Sequence, residues 1–184
     1  RSAAMQDFSA TPLLSFYRLH YAKTFVLLER SARAADECLK NNLGFTDFCP
    51  SCLHAQATKL PKEVCEKCGK KAGFAGPLWI GLTCDDSFLE AVAKENELRQ
   101  LEDKHELSKL FELLKNENAR ELPPWFYDLH DSASALKIAL KTKTGDAIAE
   151  LKKRGFAATR THVSPTGVKT NAGEKEIARL LGEK

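Results

Sequence analysis

The chain has 184 residues, of which 43% are hydrophobic and 29% charged, enough for one large domain or two small ones with a genuine core. No stretch approaches the roughly 18 consecutive apolar residues of a membrane span, and the N-terminus lacks a signal-peptide pattern, which favours a cytoplasmic protein. The first residue is Arg1 rather than Met, so we interpret the chain as a piece of a longer protein.

The charge is unevenly distributed along the sequence. The formal net charge is only +3, which does not by itself indicate a nucleic-acid partner. Residues 137–184, however, carry eleven Lys and Arg against five Asp and Glu, while residues 1–136 carry seventeen against twenty. A basic end on a nearly balanced body suits phosphate binding. The alternative is a solvated helix face that happens to be rich in Lys.

The first quarter of the chain predicts a strand–helix–strand unit. Residues 12–30 are rich in aromatic and branched side chains, and their partial alternation predicts a strand. Ser31 can cap a helix that runs to about Asn41. Its apolar stripe would consist of Ala34, Ala35, Cys38 and Leu39. Gly44 then stops the helix, and residues 45–48 are predicted to form a short strand that leads into a cysteine.

Four of the six cysteines form two C-x2-C pairs, Cys49 with Cys52 and Cys65 with Cys68. Each C-x2-C turn places two thiolates on one side of a tight loop, and Gly69 permits close backbone approach in the second. Two such turns complete the tetrahedral shell that zinc requires. A pair of disulfides or a redox motif are the alternatives, but disulfides are rare in the cytosol and a redox pair would not occur twice. No position remains for a water ligand, so the predicted zinc is structural.

The two remaining cysteines and His54 are predicted to take no part in metal binding. Cys38 is expected in a core, Cys84 near a helix start without chemical function, and His54 at the surface. Five lysines give the array a basic flank suited to RNA: Lys59, Lys62, Lys67, Lys70 and Lys71.

The middle of the chain predicts a strand and two amphipathic helices. GPLWIG, Gly76–Gly81, is expected to be a short buried strand between glycines. Asp85 or Asp86 begins a helix that turns Phe88, Leu89 and Val92 inward. A second helix over roughly 103–117 has Leu107, Leu110, Phe111 and Leu114 at helical spacing. Pro123-Pro124 ends the block and marks the best domain boundary.

Beyond the prolines, the sequence predicts two helices followed by a β-hairpin. The helices are expected over 132–140 and 145–154, the strands over 156–162 and 168–171 around a turn at 164–167, and a short helix from Glu174. This is the order of a winged helix-turn-helix module, and also of generic α+β folds. The aromatic cluster at 125–127 either packs in a core or stacks on a base, and His130 is predicted to cap the next helix.

No catalytic centre is predicted within the chain. We find no Gly-rich strand-to-helix turn that could cradle a nucleotide-like cofactor, since Gly73, Gly76 and Gly81 are separated by prolines and bulky residues. No Ser-His-Asp set or paired carboxylates stand out either.

Five segments, in this order, resemble the C-terminal half of the tRNA (guanine-26-N2)-dimethyltransferase family. They are PLLSFYRLHYAKTFV (12–26), NNLGFTDFCPSC (41–52), CGKKAGFAGPLWIG (68–81), LPPWFYDLHDSASALK (122–137) and TRTHVSPTGVKTNA (159–172). The resemblance runs from about residue 10 to the end of the chain. Its RTH…P.G.KTN and GPLW signatures are specific to that family.

The resemblance implies an S-adenosylmethionine-dependent enzyme that methylates the exocyclic N2 of a guanine in tRNA. In that family a Rossmann-like N-terminal domain binds the methyl donor and carries the acidic catalytic loop, and this domain is not in the chain. The piece alone is therefore expected neither to bind the donor nor to methylate RNA, and none of its residues is predicted to be catalytic. By the same analogy, the strand of residues 12–30 would finish the missing domain's sheet, leaving an apolar face partly exposed.

These inferences define an α+β fold of three contiguous segments. Residues 1–30 would form the end of the methyltransferase sheet and a linker, and residues 31–122 a zinc-knuckle α/β subdomain with amphipathic helices. Residues 123–184 would form a basic helix–hairpin subdomain, resembling a winged helix, that binds RNA.

The predicted RNA-binding residues are Lys152, Lys153, Arg154, Arg160, His162, Lys169 and Asn171. The first three end a helix, and the others flank a Pro-Gly turn from which side chains reach phosphates or an unpaired base. The alternative is that Thr161, Thr170 and Asn171 satisfy only backbone groups of the turn.

Two other functions fit the same pattern of residues. One is a free-standing zinc-ribbon and winged-helix protein that binds nucleic acid without catalysis. The other is a protein-interaction module in which the knuckle and the helix at 103–117 only dock partners.

Overall fold

The computed structural model describes residues 1–182, which contain six α-helices and eight strands in three small sheets. The prediction of mixed helix and strand structure is confirmed. None of the helices in these residues is long and apolar enough to cross a membrane.

The chain divides into two compact units, and each is discontinuous in sequence. Unit 1 combines residues 1–43 with 81–120, and unit 2 combines residues 44–80 with those from 121 onward. The three contiguous segments inferred from the sequence are a different division, by function, which stays a prediction.

The N-terminal part of unit 1 is a β-hairpin followed by a helix. Strands β1 (Phe8–Arg18) and β2 (Tyr21–Arg30) pair antiparallel, with Arg18 opposite Tyr21. The single strand predicted over residues 12–30 is therefore wrong, because Leu19, at φ 55°, reverses the chain. Helix α1 (Ala32–Asn42) begins as predicted, since the Ser31 hydroxyl accepts a hydrogen bond from Ala34 N at 3.2 Å.

Two helices complete unit 1. They are α2 (Asp86–Leu98), capped by the Asp85 side chain at Phe88 N, and α3 (Lys104–Glu117). They pack against β1 around a core of Leu14, Cys84, Leu89, Phe111 and Leu114. Every residue of β2 is exposed, including Tyr21, Phe25, Val26, Leu27 and Leu28. Unit 1 therefore leaves an apolar strand open to solvent in this chain.

Unit 2 begins with a three-stranded sheet that surrounds the cysteine array. Its strands are β3 (Leu43–Phe48), β4 (Ala55–Thr58) and β5 (Gly73–Trp79), in the order β4-β3-β5. The predicted buried strand at 76–81 starts earlier and is mostly exposed, because β5 is an edge strand. Gly76 has φ 142°, and a Cβ there would lie 2.8 Å from Gly44 O, so the close strand approach requires glycine.

The rest of unit 2 is an α/β module with its own core. Its elements are β6 (Tyr127–Asp128), α4 (Leu129–Leu136), α5 (Thr144–Lys153), β7 (Ala158–Arg160), β8 (Gly167–Thr170) and α6 (Glu174–Leu181). The strands are ordered β6-β8-β7, and both pairings are antiparallel. The fully buried residues at its centre are Leu53, Leu129, Leu151, Val168, Ile177 and Leu181.

Two predictions in this module need correction. The helix predicted over 132–140 begins at Leu129 and ends at Leu136, where Lys137 adopts a left-handed conformation. The cap is Asp128, whose carboxylate accepts hydrogen bonds from His130 N and Asp131 N, so the prediction of a His130 cap is wrong.

In the aromatic cluster at 125–127, Tyr127 is 5% exposed and belongs to the core, and Trp125 packs against that core.

Candidate metal centre and basic face

The four predicted zinc ligands converge at one point. The sulfur atoms of Cys49, Cys52, Cys65 and Cys68 all lie within 4.8 Å of one another. Cys49 Sγ is 3.5 Å from Cys68 Sγ, and Cys52 Sγ is 3.6 Å from Cys65 Sγ. Tetrahedral zinc with Zn–S bonds of about 2.3 Å places its sulfurs about 3.8 Å apart. All six cysteines are free of disulfides, so the spacing fits a bound metal ion.

The two C-x2-C turns share one backbone design. Cys49 N donates to His54 O and Leu53 N donates to Cys49 O, both at 2.8 Å. In the second turn Cys65 N donates to Lys70 O at 2.8 Å, and Gly69 N donates to Cys65 O at 2.9 Å. The residue after each second cysteine is left-handed, with φ 63° at Leu53 and φ 70° at Gly69. We call these turns knuckle 1 (residues 49–54) and knuckle 2 (residues 65–70).

The left-handed residue of knuckle 1 is unusual because it is a leucine. That conformation costs a non-glycine residue about 1–2 kcal/mol. Leu53 is nonetheless 0% exposed and sits in the core beside Tyr127 and Leu129. Full burial of a leucine contributes about 1.5–3 kcal/mol, which offsets the strain. Leu53 therefore fixes knuckle 1 to the core of unit 2.

The protein shifts the pKa values of two of these thiols in opposite directions. Burial raises the pKa of the Cys52 thiol to about 12. Burial acts in the same direction on Cys65, but the N–H groups of Cys68 and Lys67 outweigh it and lower that pKa to about 7. A divalent cation among the four sulfurs would stabilise the thiolate form of each.

His54 and the two remaining cysteines lie partly as predicted. His54 is not a surface residue: its side chain is 14% exposed, and Nδ1 is 3.4 Å from Glu174 Oε2 at the start of α6. This contact joins knuckle 1 to the last helix. Cys38 is half-buried and its thiol donates to Ala10 O at 3.4 Å, while Cys84 is buried in unit 1, where burial raises its pKa to about 11.

The predicted RNA-binding residues fall into two groups, of which the first is exposed. Lys152 and Lys153 lie at the end of α5 and are open to solvent. Arg160, at the end of β7, is also exposed and donates to Pro165 O at 3.4 Å. A Cβ added at Gly145 would lie 3.5 Å from Arg160 Nη2, so this guanidinium sits beside the N-terminus of α5.

The residues of the second group bond to other parts of unit 2, although Arg154 and Asn171 are themselves exposed. Arg154 pairs with Glu150 at 2.9 Å and with Glu176 at 3.1 Å. Asn171 Oδ1 accepts a hydrogen bond from Ala157 N at 3.0 Å. His162 and Lys169 are half-buried and also make contacts within the protein.

The threonines of the hairpin satisfy backbone groups. Thr170 Oγ1 donates to Ala157 O at 2.6 Å and accepts from Ala172 N at 3.1 Å, and Thr161 Oγ1 accepts from Val163 N at 3.3 Å. These threonines and Asn171 therefore do bond to backbone groups of the hairpin, and an additional RNA contact of Asn171 stays a prediction.

Sequence reasoning missed two cations at the start of α5. Lys143 is the N-cap residue and makes no side-chain capping bond, and Lys141 precedes it; both are exposed. The alternating K-T-K-T before a helix was the available signal. Helix N-termini favour anions because their first amides have no partner within the helix.

Asp128 holds the hairpin turn in position. Its Oδ2 accepts from Ser164 Oγ at 2.7 Å and from Thr166 Oγ1 at 2.6 Å, while Oδ1 caps α4. Burial acts to raise the pKa of this carboxyl, but these donors outweigh burial and lower it. One carboxylate thus connects β6, α4 and the turn at 164–167.

Unit 2 thus combines four converging cysteine sulfurs with a hairpin that carries an exposed arginine, a combination that suits a nucleic-acid-binding protein. Over residues 1–182 the chain matches the family described as N2,N2-dimethylguanosine tRNA methyltransferase. It belongs to this family.

Individual relatives agree with that assignment. The chain is 35% identical to the tRNA (guanine(26)-N(2))-dimethyltransferase of Methanobrevibacter smithii, with 91% of this chain and 43% of that protein covered. With the same enzyme of Haloarcula marismortui the identity is 33%, covering 100% of this chain and 49% of that protein. The structure of Trm1 from Pyrococcus horikoshii with S-adenosyl-L-methionine matches with a TM-score of 0.80 at 30% identity, covering 97% of this chain and 45% of that one. The chain thus spans less than half the length of these relatives.

Proposed function

We propose that the chain is the tRNA-binding, zinc-containing portion of a tRNA (guanine(26)-N2)-dimethyltransferase, whose intact form transfers methyl groups from S-adenosylmethionine to N2 of a guanine in tRNA. The family match over residues 1–182 carries this proposal. Within the chain, the exposed cations of unit 2, the same unit that contains the four converging cysteines, support it.

Zinc is the metal that we propose for the four thiols. Cys49, Cys52, Cys65 and Cys68 would all bind it as thiolates, and a four-sulfur shell leaves no position for water or substrate. The ion would therefore supply a cross-link between the two knuckles. Because Leu53 anchors knuckle 1 in the core, that cross-link would also fix knuckle 2 to unit 2.

The basic end of unit 2 would grip the RNA backbone. Two helices, α4 and α5, precede the β7–β8 hairpin, and we interpret this order as a winged helix-turn-helix module. Lys141, Lys143 and Arg160 surround the unpaired amides at the start of α5, while Lys152 and Lys153 stand at its end. Such groups bind phosphate, and contacts of this kind position RNA without selecting sequence.

The methyl donor and the catalytic groups would lie in a domain outside this chain. The chain covers 43–49% of the relatives cited above, one of which was solved with the donor. The exposed apolar strand β2 supports this, because soluble proteins rarely leave such a strand uncovered. We infer that β2 contacts that domain, and we place the intact enzyme with its tRNA substrate in the cytoplasm.

A binding titration of the chain with an unmodified tRNA transcript, at two salt concentrations, tests the proposal. Arg160→Ala and the double variant Lys152→Ala/Lys153→Ala should each weaken binding, and each lost phosphate contact should reduce the salt slope by about one unit. Arg154→Ala should have a smaller effect, because its guanidinium is already paired with two glutamates.

The matched control is Lys109→Ala, on the exposed face of α3 in unit 1. Lys104 is less suitable, since it pairs with Glu97 at 3.1 Å. Circular dichroism would establish that each variant is folded. Unchanged affinity and salt slope for the Arg160 and Lys152/Lys153 variants would contradict the proposed RNA-binding face.

A further inference from the structure

Unit 2 contains a cleft whose lining residues include none of the cations proposed to bind phosphate. It has a volume of about 350 Å³. One wall comes from Phe48 and Ala55 of the metal-binding sheet, and the other from the aromatic cluster at 125–127 and the α4 residue Ala135. Phe48 is 40% exposed although it is a large apolar side chain. The cleft is thus an open slot with aromatic side chains on both walls, of a size usual for ligand pockets, which is about 300–1,000 Å³.

The polar groups of the cleft differ in whether they already have hydrogen-bond partners within the protein. Asp128 lines it, but its carboxylate already accepts four hydrogen bonds. Asp131, one turn into α4, is exposed, and no partner for its carboxylate is found within residues 1–182. Trp125 Nε1 is buried, and its N–H lies close to Tyr127, where it acts against the rise that burial causes in the pKa of the tyrosine. Asp131 therefore supplies the unused hydrogen-bond acceptor of the cleft.

We propose that this cleft binds one unpaired base of the RNA, with guanine as the preferred base. The inference rests on the proposed RNA-binding function. Aromatic side chains stack on the faces of unpaired bases, and single-stranded positions are where proteins read RNA sequence. Guanine carries two adjacent N–H donors, at N1 and N2, that match the two oxygens of one carboxylate.

The position of the cleft favours a base over an apolar peptide. The strand β6, which contributes Tyr127 and Asp128, pairs directly with β8 of the basic hairpin. A base entering the slot would remain attached to a backbone that the cations of unit 2 attract. An apolar side chain, by contrast, would offer the Asp131 carboxylate no hydrogen-bond donor.

The test asks whether removal of the negative charge of Asp131 weakens or strengthens RNA binding. Asp131→Asn removes one negative charge, so simple electrostatics predicts unchanged or tighter RNA binding. We expect the opposite, a loss of about fivefold to tenfold with an unmodified tRNA transcript, because the amide presents only one acceptor to the guanine. The matched control Asp146→Asn removes the same charge from the exposed start of α5 and should leave binding equal or tighter.

A second variant and a second probe complete the experiment. Ala135→Phe fills the slot from α4 and should weaken tRNA binding by at least about fivefold, consistent with the loss of one stacked base. A blunt-ended RNA duplex keeps its bases paired, so neither variant should weaken duplex binding.

The outcomes separate the base site from RNA binding itself. Weaker tRNA binding in both variants, with unchanged duplex binding, supports the base site. If the wild-type chain binds tRNA and Asp131→Asn binds it equally or more tightly, the base site is refuted while the proposed function stands. If Ala135→Phe alone weakens tRNA binding, the Asp131 carboxylate does not read a guanine and the base assignment fails. If the wild-type chain does not bind tRNA, both proposals fail.

Discussion

The two units of this chain are stabilised in different ways. Unit 1 has a single apolar core, leaves strand β2 exposed, and carries twelve Lys and Arg against fourteen Asp and Glu. Unit 2 has an apolar core and the four-sulfur cluster, and it carries sixteen Lys and Arg against eleven Asp and Glu. In the proposed function, unit 1 would contact a further domain and unit 2 would bind the RNA, which agrees with this difference in charge and in exposed apolar surface.

Within unit 2, the two cysteine turns accommodate their left-handed residue in different ways. In unit 2 a leucine adopts the left-handed position of knuckle 1, whereas knuckle 2 uses glycine at the equivalent position. The leucine is buried and the glycine touches nothing within 4 Å of where its Cβ would be. The left-handed residue of knuckle 1 thus packs in the core, whereas the left-handed residue of knuckle 2 makes no packing contact.

Removal of the metal should have the largest effect, and it should be confined to unit 2. The chain should hold one zinc, and Cys65→Ala or a chelator should release it. Structural zinc contributes about 10–16 kcal/mol in small zinc-binding peptides, far more than a single side-chain contact. Hydrogen exchange should therefore accelerate across residues 44–80, while α2 and α3 keep their protection.

The control for this experiment is Cys38→Ala, which alters a half-buried thiol outside the cluster. It should keep one zinc per chain, as measured by metal analysis. Stoichiometric zinc in Cys65→Ala, or an equal rise in exchange across both units, would remove the distinction between them.

Loss of the knuckle anchor should have the next largest effect. Leu53→Ala removes a fully buried side chain from the core of unit 2 and should lower the free energy of unfolding by about 3 kcal/mol. Leu60→Ala is the matched control, because Leu60 is 76% exposed and should change stability by less than about 0.5 kcal/mol. Urea unfolding followed by circular dichroism measures both. Similar stabilities for the two variants would show that knuckle 1 is not anchored through Leu53.

The smallest of these effects is a loss of stability at low pH when Asp128 becomes protonated. The donors around Asp128 lower its pKa below the usual 3.8, so its stabilising contribution is present above that pH and is lost as the pH falls through the lowered value. Asp128→Asn should destabilise unit 2 by about 1 kcal/mol at pH 7. The difference between wild type and variant should shrink below about pH 4, as measured by thermal unfolding across pH. A difference that stays constant down to pH 2 would exclude this carboxylate as the source.

Local signals in the sequence were sufficient for much of the fold and for the metal centre. Ser31 and Asp85 cap the helices that follow them, and both are preferred N-cap residues. The two C-x2-C pairs specified the sulfur cluster because their spacing is a local property of the ligands. Asp128 was also a recognisable cap, and choosing His130 instead overlooked the known preference for aspartate.

Other features depend on contacts that no local pattern contains. The turn between β1 and β2 has Leu19 and His20 where glycine or asparagine would have signalled a reversal. The pair of His54 and Glu174 joins residues 120 positions apart. The interleaving of residues 44–80 with those beyond 120 is likewise set by tertiary packing, so the Pro123-Pro124 signal could not reveal it.

The most direct test of the account is a hydrogen-exchange footprint of the chain with and without an unmodified tRNA transcript. Saturating tRNA should slow exchange in unit 2 at the start of α5 and across residues 152–160, where the exposed cations lie. Exchange in α2 and α3 of unit 1 should not change. Protection confined to α2 and α3, or no protection at saturating tRNA, would contradict the assignment of RNA binding to unit 2.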